Sequence, residues 1–349
     1  MTRQAAGLAG SAKRRRQFVD NRTKMILKEA EVLTDEGFAA MLLTMALSPN
    51  REEYARPLST QEYYRLAERV RDSKYRTPGG LIGADISGMM MYIGISEEEA
   101  YRIYTLLNRA VQFSYALEEF AEHRTEIVPI CDESYPERLR RRLPQAAPPF
   151  LYRAGNARLI GAPAIAILGI SGVKTTPEVR EGVISLVKNA VKANYAVITG
   201  GELGVARVAA GAVLEHGGTL VDVLGGGLYE HMEYEPIAQL LSEQRAALVS
   251  LEHPEAMFTV SHAIARNKVA FALADAAFIC NTDNKRGELD ALHNHCCDWI
   301  YALSGAACNQ PLISHGATPV ADLRGFDFAG MCRHWQSSQS EQMSMFDLL

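Results

Sequence analysis

The sequence predicts an α/β protein, a doubly wound, mainly parallel sheet preceded by a small helical domain. Three observations predict it. From Ala164 onward, short runs of aliphatic and β-branched residues recur at intervals of about one helix. Stretches of helical periodicity separate several of those runs. Before about residue 124 the apolar spacing is helical instead. Parallel strands need a crossover long enough to hold a helix, and their burial on both faces makes the strands read as unbroken apolar runs.

The 349 residues are 48% hydrophobic and 22% charged, an ordinary globular chain long enough for two domains. No apolar run reaches the ~18–20 residues of a membrane span. The N-terminus is basic but carries no apolar stretch of the kind a secretory signal needs. Six cysteines (Cys131, Cys280, Cys296, Cys297, Cys308 and Cys332) in a chain this long suggest no disulfide framework, so a reduced, cytoplasmic protein is expected. Net charge is −5 and uneven, weakly basic up to Arg158 and acidic from Ala164 to Val320. That distribution excludes a uniformly basic surface for duplex DNA; any nucleic acid would meet a local patch.

Residues 1–24, with "AKRRR" at 12–16, read as a basic tail, either solvated or attracting phosphate. Residues 25–124 read as a helical N-terminal domain. "KMILKEAEVL", "GFAAMLLTMAL", "TQEYYRLAERV" and "SEEEAYRIYTLLNRAVQFSYALEEF" place apolar residues at i, i+3, i+4. Ser59 and Ser96, each followed by acids, fit helix N-caps. Residues 125–150 form a proline-rich connector with a strand or two. Its Arg138, Arg140, Arg141 and Arg142 fit a solvated helix face or a phosphate contact. Residues 151–325 form the Rossmann-like domain, with "AIAILG", "YAVIT", "TLVDVLG", "AALVSLE", "AAFICN" and "WIYALSG" as strands. Residues 326–349 are a polar tail with an apolar end.

Glycine clusters follow three successive strands: "LGISG" at 168–172, "TGGELG" at 199–204 and "LGGGL" at 224–228. In an open α/β sheet, ligands bind at the carboxyl ends of the strands. Glycine lets a group approach the backbone closely, and a helix N-terminus offers free N–H groups to phosphate. Thr199, Gly200, Gly201, Gly204, Gly225 and Gly226 are therefore expected to wall a phosphate-accepting crevice. Tight βα turns with no ligand are the plainer reading; neither G-x-G-x-x-G nor a Walker A sequence is present. Cations that would join the rim are Lys174, Arg207, Arg266 with Asn267 and Lys268, and Lys285 and Arg286 beside Gly287. A salt-bridged helix face is the other reading of residues 266–268.

Eight stretches in order, "YPERL…PPFLYRAGN", "AILGIS", "ITGGELGV", "GGTLVDVLGGGL", "VSLEHP", "F…ARNKVAFALAD", "RGELDA" and "NQPLISHGA", resemble the DprA (Smf) family of DNA-processing proteins. The likeness runs from about Ser134 to Val320. It implies a non-enzymatic protein with an extended Rossmann fold that binds single-stranded DNA, often as a dimer. It also implies help in loading the recombinase RecA during natural transformation. The family's phosphate positions fall on Gly169, Ser171, Thr199, Gly200, Gly201, Gly204, Arg266, Asn267 and Gly287. The sequence departs from the pattern where Ser171 replaces an arginine. It departs again at Ala206 and Ala210, where the acid and histidine of "G-I-D…A-H" are missing, at "FICN", and at Arg286. Arg207, Lys285 and Arg286 are the residues that could compensate for the lost arginine.

Other motifs carry less. "HNHCC" (293–297) reads as structural helix rather than a metal site. Asp222, inside a strand, reads as a hydrogen-bonded structural acid. No catalytic constellation and no cofactor motif stands out; Glu202 and Glu288 are the only candidates for a nucleotide hydrolase. A nucleotide-sensing Rossmann module is the main alternative to a DNA binder. The end of the chain, Gln342, Met343, Ser344, Met345 and Phe346, resembles the Q-L-S/D-L-F motif that binds the bacterial β sliding clamp. In that motif an apolar pair and an aromatic ring enter a preformed pocket.

Overall fold

A computed structural model of the protein describes residues 34–49, 53–169, 175–201, 203–282 and 287–328. The basic tail at 1–24, Ser171, Lys174, Glu202, Lys285, Arg286 and the motif at 342–346 lie outside the described residues. The chain divides into two compact units. The first comprises residues up to 135 with 143–153 and 251–257; the second comprises residues 136–142, 154–250 and 258 onward.

Among the described residues the first unit has five α-helices: α1 (Asp35–Thr44), α2 (Thr60–Arg71), α3 (Ile86–Ile93), α4 (Glu97–Leu107) and α5 (Ala110–Glu122). Their starts follow side-chain chemistry. Ser59 accepts from the Glu62 N–H while Glu62 reaches back to the Ser59 N–H, a complete capping box, and Ser96 caps α4 in the expected way. The long pattern from 97 to 122 is not one helix. Asn108 turns back to the Tyr104 carbonyl at 2.7 Å, and Arg109, 8% exposed, swings inward. Its guanidinium donates to the carbonyls of Leu42 and Met45, at the end of α1, and pairs with Glu53. Satisfying those orphan carbonyls sets the break. Met41, Leu42, Leu43, Met89, Phe113 and Phe120 form the apolar interior around it. Strands β1 (Glu126–Pro129) and β2 (Phe150–Gly155) pair antiparallel, Glu126 opposite Arg153, and the two side chains form an ion pair.

The second unit opens with α6 (Glu137–Arg142) and continues β3 (Ala164–Leu168), α7 (Pro177–Lys192), β4 (Ala196–Thr199), α8 (Val205–Glu215) and β5 (Leu220–Leu224). Then come α9 (Tyr229–Met232), α10 (Glu235–Ser242), β6 (Ala246–Ser250), α11 (Val260–Leu273), β7 (Ala276–Ile279), α12 (Glu288–His293), β8 (Trp299–Leu303), α13 (Gln310–Ser314) and β9 (Thr318–Val320). The seven strands run parallel in the order β6-β5-β4-β3-β7-β8-β9. Helices cover both sides of the sheet, as expected of a doubly wound, Rossmann-like α/β fold. Every residue of β3, β4, β5, β6 and β7 is buried, which is why those strands read as continuous apolar runs. Strand β8 alternates and β9 is largely exposed.

Two expectations are corrected here. Arg138 and Arg142 are neither solvated nor poised for phosphate. Arg138 donates to Leu273 O at 2.9 Å and pairs with Asp275 at 3.0 Å; Arg142 reaches the carbonyls of Ala272 and Ala274 and pairs with Asp298. They satisfy the carboxyl end of α11, where four carbonyls lack helical partners. Arg140 pairs with Glu137 on the surface. "HNHCC" is not one helix either. Helix α12 stops at His293, His295 takes a positive φ of 50°, and Cys296 and Cys297 turn into the core. Burial pushes the Cys297 thiol up to about 12. Among the described residues, no group of three or more His, Cys, Asp or Glu is arranged to hold a metal ion. No helix among them is long and apolar enough to cross a membrane.

Candidate nucleic-acid interface

Strands β5, β4 and β3 are direct neighbours and parallel, so Gly225, Gly200 and Gly169, the first residues after them, sit side by side on one carboxyl edge. Strands β4, β5 and β6 lie on one side of β3, and β7, β8 and β9 on the other. Such a reversal opens a crevice outside the carboxyl ends of the two central strands, where doubly wound folds bind ligands. A cavity of about 430 Å³ lies there. Cys280 and Asn281 after β7, Leu303 at the end of β8, Val205 at the start of α8 and Thr176 before α7 line it.

The turn after β4 is built on a guanidinium. A Cβ placed on Gly200 would lie 1.6 Å from Arg266 Nη1 and 2.2 Å from its Cζ. Only glycine admits that approach. Arg266, on the apolar helix α11, is 3% exposed and donates through Nη1 to Val223 O at 3.4 Å. The next residue, Gly201, has φ +72°, a left-handed conformation that favours glycine. Its N–H donates to Thr199 Oγ1 at 3.1 Å. Thr199 in turn donates to Asp222 Oδ1, and His231 Nε2 lies 2.8 Å from Asp222 Oδ2. Thr199 and Asp222 are fully buried, so the carboxylate needs both partners to offset its lost hydration. Asp222 is thus the hydrogen-bonded structural acid the sequence suggested. His231, on the short helix α9, was not foreseen; the only signal for it is a polar residue just after a glycine turn.

The expectation of bare main chain at all three turns is corrected by packing. At Gly169 a Cβ would meet Asn281 Oδ1 at 2.6 Å, and at Gly225 it would meet the Phe258 ring at 3.0 Å. The Gly226 carbonyl accepts from Ser250 Oγ at 2.7 Å. Side chains of the protein therefore lie against these glycines, and the one against Gly200 is a cation.

The described cations do not gather into a single rim. Arg266 and its neighbour Asn267 are buried. Lys268 is half-exposed and 3.5 Å from Asp290 on α12, the ion pair expected of a salt-bridged helix face. Arg207, in the first turn of α8, rests its guanidinium 3.5 Å from the centroid of the Tyr234 ring. Gly204 (φ +94°) and Gly287 (φ +87°) each stand at the start of a helix, α8 and α12. Glu288, raised as a hydrolytic candidate, is buried in the first turn of α12.

Comparisons with known proteins agree with this architecture. The family model for DNA recombination-mediator protein A matches residues 126–322. The chain is similar to the solved structure of DNA processing protein A (DprA) from Streptococcus pneumoniae, with 19% identity and a TM-score of 0.53 over 78% of this chain and 99% of that one. It is also similar to DNA processing protein A from Helicobacter pylori, a structure described for its single-stranded DNA binding mode, with 18% identity and a TM-score of 0.46 over 58% and 94%. No curated protein matches the chain.

Proposed function

Because the chain belongs to the DNA recombination-mediator protein A family, we propose that it is a DNA-processing protein that binds single-stranded DNA in recombination and transformation. The observation that carries the reading is the crevice at β3, β4 and β7, with three adjacent glycine turns and the Arg266 guanidinium seated on Gly200. A strand's phosphates would meet the carboxyl edge of the sheet and the helix starts at Gly204 and Gly287. Arg266 would supply fixed positive charge from beneath, screened little by salt because it is buried. Unstacked bases would enter the cavity of about 430 Å³ beside Asn281. Duplex DNA keeps its bases stacked and paired and could not use that space.

The role is one of binding rather than turnover. The buried Asp222–His231 pair holds the turn after β4 in shape, a structural use of both groups. Three finer readings belong to the same proposal. The DNA complex helps load RecA, which a strand-exchange assay on protein-coated single strands would measure. The residues at 342–346 bind the β sliding clamp; a peptide of this tail that still bound after Phe346→Ala would count against insertion of the ring. A homodimer is the working form, to be read by light scattering.

The test of the site is fluorescence anisotropy with a labelled single strand. Arg266→Ala with Lys268→Ala should lower affinity for every sequence alike, and Arg266→Lys should restore part of it. Unchanged affinity in the folded double variant would remove DNA from this crevice. A thermal shift with small nucleotides but none with oligonucleotides would favour the nucleotide-sensing alternative.

A further inference from the structure

A second opening in the Rossmann-like unit adjoins the crevice of the glycine turns. It is a groove of about 560 Å³ between α7 and α8, in the size range of a site for a small ligand. It starts at Leu203 and Gly204, on the turn after β4, and follows α8 to Glu215. Two arginines line it, Arg180 from α7 and Arg207 from α8. Neither makes an ion pair with a described residue. Arg180 is exposed. Arg207 Nε is closed off from solvent and has no hydrogen-bond acceptor. Its guanidinium is held in place by the Tyr234 ring rather than by a carboxylate. A guanidinium stacked on a ring still has its terminal N–H groups to offer, and a phosphodiester supplies acceptors that fit them. At the middle of the groove the wall is bare: an added Cβ on Gly211 would touch nothing within 4 Å.

We infer that this groove carries the sugar-phosphate backbone of a nucleic-acid strand away from the glycine turns, with Arg207 and Arg180 on successive phosphates. The inference rests on the single-strand reading above and extends it with a path. The charge pattern sets its direction and its end: two cations with no ion-pair partner among the described residues, then the Glu215 carboxylate, which would repel a further phosphate. The groove shares Gly204 with the turn after β4, so one strand can occupy both without a break. Tyr234 acts as a positioning residue because it acts through Arg207.

The experiment compares two labelled oligothymidylates, a short one of about 5 nucleotides and a long one of about 30, by anisotropy over a range of salt. Arg180→Gln, a change at an exposed position, should weaken binding of the long strand roughly five- to tenfold. It should also reduce the slope of log K against log salt by about 0.7, one phosphate contact on a single strand. The short strand, filled by the crevice alone, should change less than about twofold. Tyr234→Leu should weaken the long strand in the same direction, and Glu215→Gln should strengthen it.

If Arg180→Gln and Glu215→Gln leave the long strand's affinity and salt slope unchanged while Arg266→Ala weakens both strands, the path is wrong and the crevice reading stands. If the wild-type protein binds neither oligonucleotide, the single-strand reading itself falls. Stabilisation by a mononucleotide that depends on Arg180 as strongly as long-strand binding does would make the groove a nucleotide site and overturn the path.

Discussion

Replacing Gly200 by alanine tests why the turn after β4 is glycine. The added methyl would sit 1.6 Å from Arg266 Nη1, far inside contact distance, so the guanidinium must leave Gly200 and the Val223 carbonyl. Arg266 is 3% exposed and has packed surroundings to move into, and such overpacking costs about 1–3 kcal/mol. Gly200 has no left-handed φ, so the backbone accepts alanine and the unfolded chain loses about 0.4–1 kcal/mol of freedom. The net loss is about 1–2 kcal/mol. At about 2–4 °C per kcal/mol, the melting temperature should fall by roughly 2–8 °C. In an Arg266→Ala background the obstacle is gone, and Gly200→Ala should be neutral or stabilising by up to about 1 kcal/mol. A double-mutant cycle by thermal or urea denaturation measures the coupling. Equal costs of Gly200→Ala in both backgrounds would show that the guanidinium does not dictate the glycine.

Other outcomes follow from the same structure. Asp222→Ala strands the Thr199 hydroxyl and His231 Nε2 inside the protein, and should cost about 2–5 kcal/mol by urea denaturation, with Asp222→Asn costing less because it keeps one partner. In the first unit burial works to raise the Glu62 carboxyl, but hydrogen bonds from Arg102, the Ser59 N–H and Arg56 outweigh it and hold the group at about 2, below its ordinary 4.5. Because the folded value is the lower one, this stabilisation is present above about pH 4.5 and is lost as pH falls toward 2; Glu62→Gln should flatten the acid limb of a circular-dichroism titration. Burial pushes the Cys280 and Cys297 thiols up to about 12, whereas Cys131 and Cys308 are exposed. Alkylation mapped by mass spectrometry in the folded protein should therefore mark Cys131 and Cys308 and spare the other two.

How much of this was legible depended on whether the cause was local. The strands from Ala164 to Ile279 were readable because burial on both faces leaves no polar alternation to confuse them. Strand β9, Thr-Pro-Val, was not, since a three-residue, largely exposed edge strand leaves no pattern. The caps at Ser59 and Ser96 were readable from spacing alone. The break at Arg109 was not, because its causes are the carbonyls of Leu42 and Met45, far away in sequence. The same holds at the site. Glycine at position 200 was visible, but its reason is a guanidinium contributed by a distant helix. Arg138 and Arg142 read as surface charge because the carbonyls they satisfy belong to α11, about 130 residues on. His231 had no local signature, since its role depends on an acid in the neighbouring strand.

The central claim is that the carboxyl edge of this sheet receives a single nucleic-acid strand. Anisotropy of the wild-type protein with matched single- and double-stranded DNA, over a series of salt concentrations, tests it most directly. The single strand should bind more tightly than the duplex, and log K should fall linearly with log salt, by about 0.7 for each phosphate held. Equal affinity for the duplex, or binding that salt does not weaken, would contradict it.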